Sequence, residues 1–287
     1  MPKNSTLMIV LCLALAAAPA CLVRRRTVTP APAAAARQKR PVLTATKDEL
    51  IERVRQASDR MQNFVMRTEL SPSVLDPSKG VATDYATVGA YILFERPSNI
   101  RILGQDPVVE STIFDMVSTG GTFRVSIPPK KRFLVGSNDA PPTSQNKLEN
   151  LRPTAFLISL LIDPPDPASE TPVLVHDTPQ SIYVLLVLRR NQDQFALARA
   201  IYFDHYTLQI TRQKTFDPAG EVVSDTSYTD WADHDGIPYP STIDIQRPRD
   251  NYELQIAVST LRFNTPDVTE AKFVLAQPAG TQVEELK

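Results

Sequence analysis

The chain has 287 residues, enough for one or two domains, and its 25 prolines far outnumber its nine glycines. The formal net charge of −1 hides a division: residues 22–46 carry six basic side chains and no acid, whereas from Lys47 onward 24 Lys and Arg face 32 Asp and Glu, a balance of −8. An acidic body argues against nucleic acid as a partner. With both cysteines at or before position 21, disulfides, thiol catalysis and cysteine metal sites are excluded from the body.

Residues 1–20 read as a signal peptide. Lys3 precedes an apolar run over 6–18 that is short for a membrane span, and small residues lead to Cys21. Two cleavages fit. Ala18-Pro19-Ala20 suits an ordinary signal peptidase, while small residues directly before Cys21 resemble a bacterial lipobox, in which Cys21 becomes the lipidated first residue. Cys21 stands at the cut and the mature body has no other cysteine, which favours lipidation. Residues 21–46 then form the lipidated cysteine and a Pro/Ala/Arg-rich tether. Its basic side chains suit an anionic membrane surface. Leu22 follows the cysteine where, in well-studied Gram-negative sorting, aspartate means inner-membrane retention; the resemblance therefore implies the outer membrane, facing the periplasm.

Residues 47–287 form the body. Thr46-Lys-Asp-Glu49 is a capping box. Leu50, Val54, Ala57 and Met61 follow at helical spacing and predict a helix over 47–62. Strands are predicted over 64–71, 86–96, 99–103, 110–118, 122–127 and 132–135, with a polar loop at 74–83 and a hairpin turn at Gly120-Gly121. Eight prolines between 136 and 180 predict a break in the sheet. Within it Pro153 opens an apolar helix over 153–162, stopped by Asp163-Pro164-Pro165. Phe156, Leu157, Leu160 and Leu161 with their neighbours cover that helix nearly all round. It needs apolar contact on more than one side, as core filling or as a lid across the mouth of a curled sheet.

From 181 to 263, turn residues recur between β-branched and aromatic runs and predict strands over 181–188, 196–203, 207–216, 221–231, 237–246 and 252–263. No helical crossover fits in the gaps, so these strands are antiparallel neighbours. In the last of them, Leu254, Ile256 and Val258 share one parity and Leu261 and Phe263 the other, which predicts a bulge near Ser259-Thr260. Ile243, Ile245, Leu254, Ile256 and Val258 are candidates for the wall of a cavity beneath the apolar helix, and the single Trp231 is core or cavity wall.

Catalytic chemistry is sparse. His176, His205 and His234 show no metal-ligand spacing, and Asp163, Asp166 and Glu170 read as solvated loop charges rather than calcium ligands. His234 lies between Asp233 and Asp235 in a predicted turn, without a nucleophile motif, so no catalytic residue is assigned. No phosphate loop or dinucleotide fingerprint occurs. The chain reads as non-enzymatic, with no cofactor and no metal.

The order of elements, with Phe94-Glu-Arg-Pro97, Gln213-Lys-Thr-Phe-Asp-Pro-Ala-Gly220, Tyr228, Asp235-Gly-Ile-Pro-Tyr-Pro240, Phe263-Asn264, Phe273-Val-Leu275 and Pro278-Ala-Gly280, resembles the LolA/LolB-like lipoprotein-carrier superfamily over about 47–286. The resemblance implies a mainly β (α+β) fold: an incomplete antiparallel β-barrel of about eleven strands, with an N-terminal helix and a short lid or plug helix on its concave face. It implies an apolar cavity for acyl chains of lipoproteins or other lipids. In the soluble carrier an arginine bonds to the lid, for which Arg96 and Arg101 are candidates here. The membrane-anchored receptor uses a protruding loop with an exposed leucine, for which no loop is assigned here. The resulting expectation is a monomeric, lipid-anchored periplasmic protein that binds lipid acyl chains or lipoproteins for transport or outer-membrane localisation. An envelope scaffold or sensor that binds a protein partner is the alternative. A hydrolase using Asp233, His234 or Asp235 would require a deep polar cleft there.

Overall fold

A computed structural model of the chain describes residues 24–27, 41–138, 153–191 and 194–286. Helix α1 (Lys47–Asp59) begins at the expected capping box. The Thr46 hydroxyl accepts the Glu49 N–H at 3.3 Å, and the Glu49 carboxylate accepts the Thr46 N–H at 2.7 Å. That backbone bond holds the Glu49 carboxyl below its ordinary pKa. The helix ends at Asp59 rather than 62, because Met61 already turns into the sheet, where it is buried.

Among the described residues the strands form a single 16-stranded sheet. The early ones are β1 (Arg24–Thr27), β2 (Asn63–Asp76), β3 (Val81–Asp84), β4 (Val88–Glu95), β5 (Asn99–Gln105), β6 (Thr112–Thr119), β7 (Thr122–Ile127) and β8 (Arg132–Ser137). Helix α2 (Pro153–Leu160) separates them from β9 (Glu170–Asp177), β10 (Ile182–Asn191), β11 (Gln194–Asp204), β12 (Ile210–Phe216), β13 (Val222–His234), β14 (Ile237–Arg247), β15 (Tyr252–Phe263) and β16 (Gln282–Leu286). Their spatial order is β16-β8-β7-β6-β5-β4-β2-β15-β14-β13-β12-β11-β10-β9, with β1 and β3 on the far end of β2. Neighbours are antiparallel except for β16, which lies parallel to β8. The sheet is open and does not close into a barrel.

The fold class is the expected one, with β1, β3, β9 and β16 added to the strands read from sequence. Three of the additions correct particular expectations. Residues 74–83 are no loop: β2 runs through Pro72 to Asp76 and returns as β3. Pro72 is tolerated because it faces a gap, since β2 pairs with β4 as far as Leu70 and with β3 only from Ser73. Strand β9 forms inside the proline-rich break, and Pro172 is accommodated because β9 is the last strand of the sheet. The tether also begins to fold before 47. Arg24–Thr27 pairs with Val81–Asp84, the Leu43 N–H donates to the His205 carbonyl at 2.8 Å, and Ala45 is buried. Residues 1–20, Cys21 and 28–40 lie outside the described residues.

The bulge stands where the parity placed it: Val258 pairs with Thr68 and Thr260 with Arg67, leaving Ser259 out of register. Gly120 turns the β6–β7 hairpin at a φ of 63°. One face of the sheet receives both helices. Leu50 and Val54 of α1 pack on Tyr183, Leu185, Val187, Ile201 and Phe203, while Phe156, Leu157, Leu160 and Leu161 of α2 join the larger core built by β2, β4, β5, β6, β13, β14 and β15. On the opposite face Val268, Phe273 and Leu275 cover Val117 and Phe133.

Candidate functional site

The two apolar cores meet where Ile162, just past α2, and Ile210, at the start of β12, touch both. At this seam a cleft of about 220 Å³ opens between α1, the end of α2 and strands β11–β14. It is lined by Leu160 and Ile162, by Phe203, Leu208 and Ile210, and by Tyr228, Trp231, Ile237 and Tyr239. Arg53, Gln56 and Ala57 of α1 and its capping residue Arg60 form the rim. Pro238 and Pro240 also line it, and their missing N–H groups do no harm there. Strand β14 has only β13 beside it at that point, because its pairing with β15 starts at Thr242.

Helix α2 is held down by more than its apolar face. The last carbonyls of a helix have no partner within it. Here Gln213 Nε2 donates to the Ile158 carbonyl at 2.9 Å, the Tyr228 hydroxyl to Ser159 at 3.0 Å and the Tyr239 hydroxyl to Leu160 at 2.9 Å. Burial pushes both tyrosine hydroxyls well above their ordinary pKa, so they remain donors. The helix therefore does not need apolar contact all round: Ser159 is the fully buried residue, bonded to Thr226 at 3.1 Å, while Ile158 is 44% exposed.

The residues singled out from sequence divide accordingly. Leu160 and Trp231 line the cleft. Phe156, Leu157 and Leu161 are buried between α2 and the sheet. Ile243, Ile245, Leu254 and Ile256 lie in the same close-packed core, with Val258 against it, and none borders the open space. Trp231 Nε1 is buried with no acceptor among the described residues.

Of the two arginines, Arg96 reaches the helix. Its Nη2 donates to Asp163 Oδ1 at 2.9 Å, three residues past the end of α2, and to Ser58 Oγ at 2.6 Å, while Nε donates to the Met61 carbonyl at 2.9 Å. Arg101 instead grips Asp115 at 3.0 and 2.7 Å and the Lys272 carbonyl at 2.8 Å, fixing the C-terminal segment. The hairpin between β5 and β6 carries Val108 and Val109, 85% and 70% exposed, held by two backbone bonds to Asp106. The sequence reading passed over this protruding apolar loop; Pro107-Val108-Val109 within a turn was its signal.

The polar candidates assemble no reaction centre. Asp233 and His234 complete β13 rather than a solvent turn. Asp233 Oδ1 accepts the Gly236 N–H at 2.8 Å, and the half-buried His234 ring meets Phe263 edge-on at 6.4 Å. Glu170 is not a solvated loop charge: it is buried at the head of β9, with Arg189 at 2.9 Å and Arg199 at 2.8 Å. Burial alone would raise its pKa, and the two guanidinium groups outweigh that and lower it. Away from the cleft, His205 is buried against His176 and Tyr183, at ring distances of 4.6 and 4.2 Å.

No protein-family model matches the chain, and no curated protein does. Solved structures do match its fold. A DUF1329 family protein from Desulfovibrio piger superposes with a TM-score of 0.54 at 16% identity, covering 78% of this chain and 94% of that one. A domain from Vibrio parahaemolyticus named for outer-membrane lipoprotein sorting gives 0.51 at 13% identity, with 78% and 94% covered. A LolA superfamily protein from Nitrosomonas europaea gives 0.50 at 10% identity, with 78% and 97% covered. The chain has a LolA-like fold, as its sequence motifs implied.

Proposed function

We propose that this chain is a non-enzymatic, lipid-anchored protein of the cell envelope that shelters an acyl chain of a lipid or lipoprotein in the cleft between α1, α2 and β11–β14. The observation that carries the reading is the cleft itself: an apolar space of about 220 Å³ on the helix-covered face of a LolA-like sheet. Transfer needs no covalent step. Each methylene removed from water contributes about 0.8 kcal/mol, from which the cost of association is subtracted, so affinity for a fatty chain is roughly micromolar. Weak binding of this kind suits a protein that must release what it carries. The exposed Val108–Val109 hairpin offers an apolar contact for a membrane or for a second envelope protein.

The test is a titration with a fluorescent fatty acid. Ala57 lies half-buried on the rim, so Ala57→Phe places a ring in the cleft without disturbing the core beneath α2. Wild type is expected to bind saturably and the variant about tenfold more weakly, with unchanged circular dichroism. Absence of saturable binding by folded wild type rejects the reading.

A further inference from the structure

We infer that the cleft selects a single-chain amphiphile with an anionic oxygen head group, the head held by Arg53 and Arg60; this rests on the acyl-binding reading of the same site. Two independent features point to it. The first is charge at the mouth. Arg53 and Arg60 stand seven residues apart on one side of α1 and its cap, about 10 Å along the axis, and both are exposed at the rim of an apolar space. Neither belongs to an ion pair among the described residues, although α1 is rich in them: Arg55 takes both Glu52 and Asp59. Glu49, one turn before Arg53, is engaged in the capping box. Asp233, near the end of β13 beside the Asp235–Gly236 turn that approaches Arg60, spends an oxygen on the Gly236 N–H. Two guanidinium groups that no carboxylate bonds directly, Arg53 acting on Glu49 only through its field, stand beside leucine, isoleucine and aromatic side chains and match a ligand with an apolar tail and an anionic end.

The second feature is size. A cavity of about 150 Å³ accepts benzene, six carbons, so about 220 Å³ corresponds to about nine carbons, which is one chain and not two or three. Enlarging it would require lifting α2, whose final carbonyls are bound by Gln213, Tyr228 and Tyr239. The cleft as built therefore matches one medium-length tail with its head at the α1 rim.

The single tryptophan of the chain, Trp231, lines the cleft and reports on it directly. The experiment follows Trp231 fluorescence of the purified protein during titration with decanoate, decyl phosphate and decanol below their micelle concentrations, and with phosphatidylglycerol vesicles. Decanoate or decyl phosphate is expected to saturate the signal at least about tenfold more tightly than decanol. Whichever of the two binds tighter identifies the head as carboxylate or phosphate. In the double variant Arg53→Gln/Arg60→Gln the anions are expected to fall to the affinity of decanol, with decanol unchanged and the circular dichroism intact. Equal binding of decanol and decanoate by wild type, or undiminished anion binding by the double variant, overturns head-group recognition while leaving acyl binding in place. Saturation by phosphatidylglycerol but not by the ten-carbon anions overturns the single-chain assignment. If no probe saturates, the acyl-binding reading fails along with the inference.

Discussion

Arg96 and Asp163 meet at 2.9 Å where the β4–β5 turn meets the segment that leaves α2, with Ser58 of α1 bonded to both. The two partners are unequal. Asp163 is half exposed, whereas Arg96 also serves the carbonyls of Ser58 and Met61 at the end of α1. There a cation satisfies groups the helix leaves open. Asp163→Asn is therefore expected to cost about 0–1 kcal/mol, as exposed pairs do. Arg96→Met is expected to cost about 2–3 kcal/mol, because it strands backbone acceptors. Urea unfolding of both variants checks this, and equal losses would reduce Arg96 to an ordinary surface pair.

Acid is expected to loosen the docking of residues 43–45. His205 is buried beneath them, its own carbonyl accepts the Leu43 N–H, and Tyr183 beside it bonds to Leu43 and Ala45. Burial first, and the neighbouring His176 second, lower the His205 pKa below its ordinary 6.5, outweighing the backbone bond with Ile182 and the charges of Asp204 and Asp177. The unfolded chain therefore takes up a proton that the folded ring resists. The contribution is fully present above about pH 6.5 and is lost as the pH falls toward the lower folded pKa. Between pH 7.5 and 5.5 the melting temperature of wild type should fall further than that of His205→Phe, which keeps a ring in the cluster. Parallel pH profiles would show that this histidine is not linked to folding.

The anchor is tested by location. Cys21→Ser, expressed with the native leader, is expected to leave the body folded and move it from the membrane fraction to the soluble fraction. Equal membrane association of the two proteins would assign attachment to other parts of the chain.

Local rules made much of this architecture legible. Thr46 and Glu49 announced α1 because capping is a matter of four adjacent residues, and the change of parity after Val258 placed the bulge because side chains alternate strictly along a strand. Legibility ended where the answer depended on what lies alongside. Pro72 looks like the end of a strand until β3 and β4 are seen to leave a gap opposite it. Ser159 looks like the outward face of α2 and Ile158 the inward one until Thr226 and the tyrosines appear across the sheet. The position of the cleft was hidden for the same reason: Leu160 and Trp231 line it, but rows such as Ile243 and Ile245 identify an apolar face without saying where helices cover it incompletely.

The two ends of the main strand path, apart from the side branch that ends in β1, bear on whether further strands can add to it. At one end β16 lies parallel on β8 and offers a short, exposed strand with Glu284 and Glu285; at the other, β9 carries Pro172. Charge on one border and a missing donor on the other discourage any further strand from docking. A ribbon of sixteen strands would otherwise be a ready template for stacking chain on chain. Blunted at these borders, the described sheet is a poor template on which one chain could extend another strand by strand.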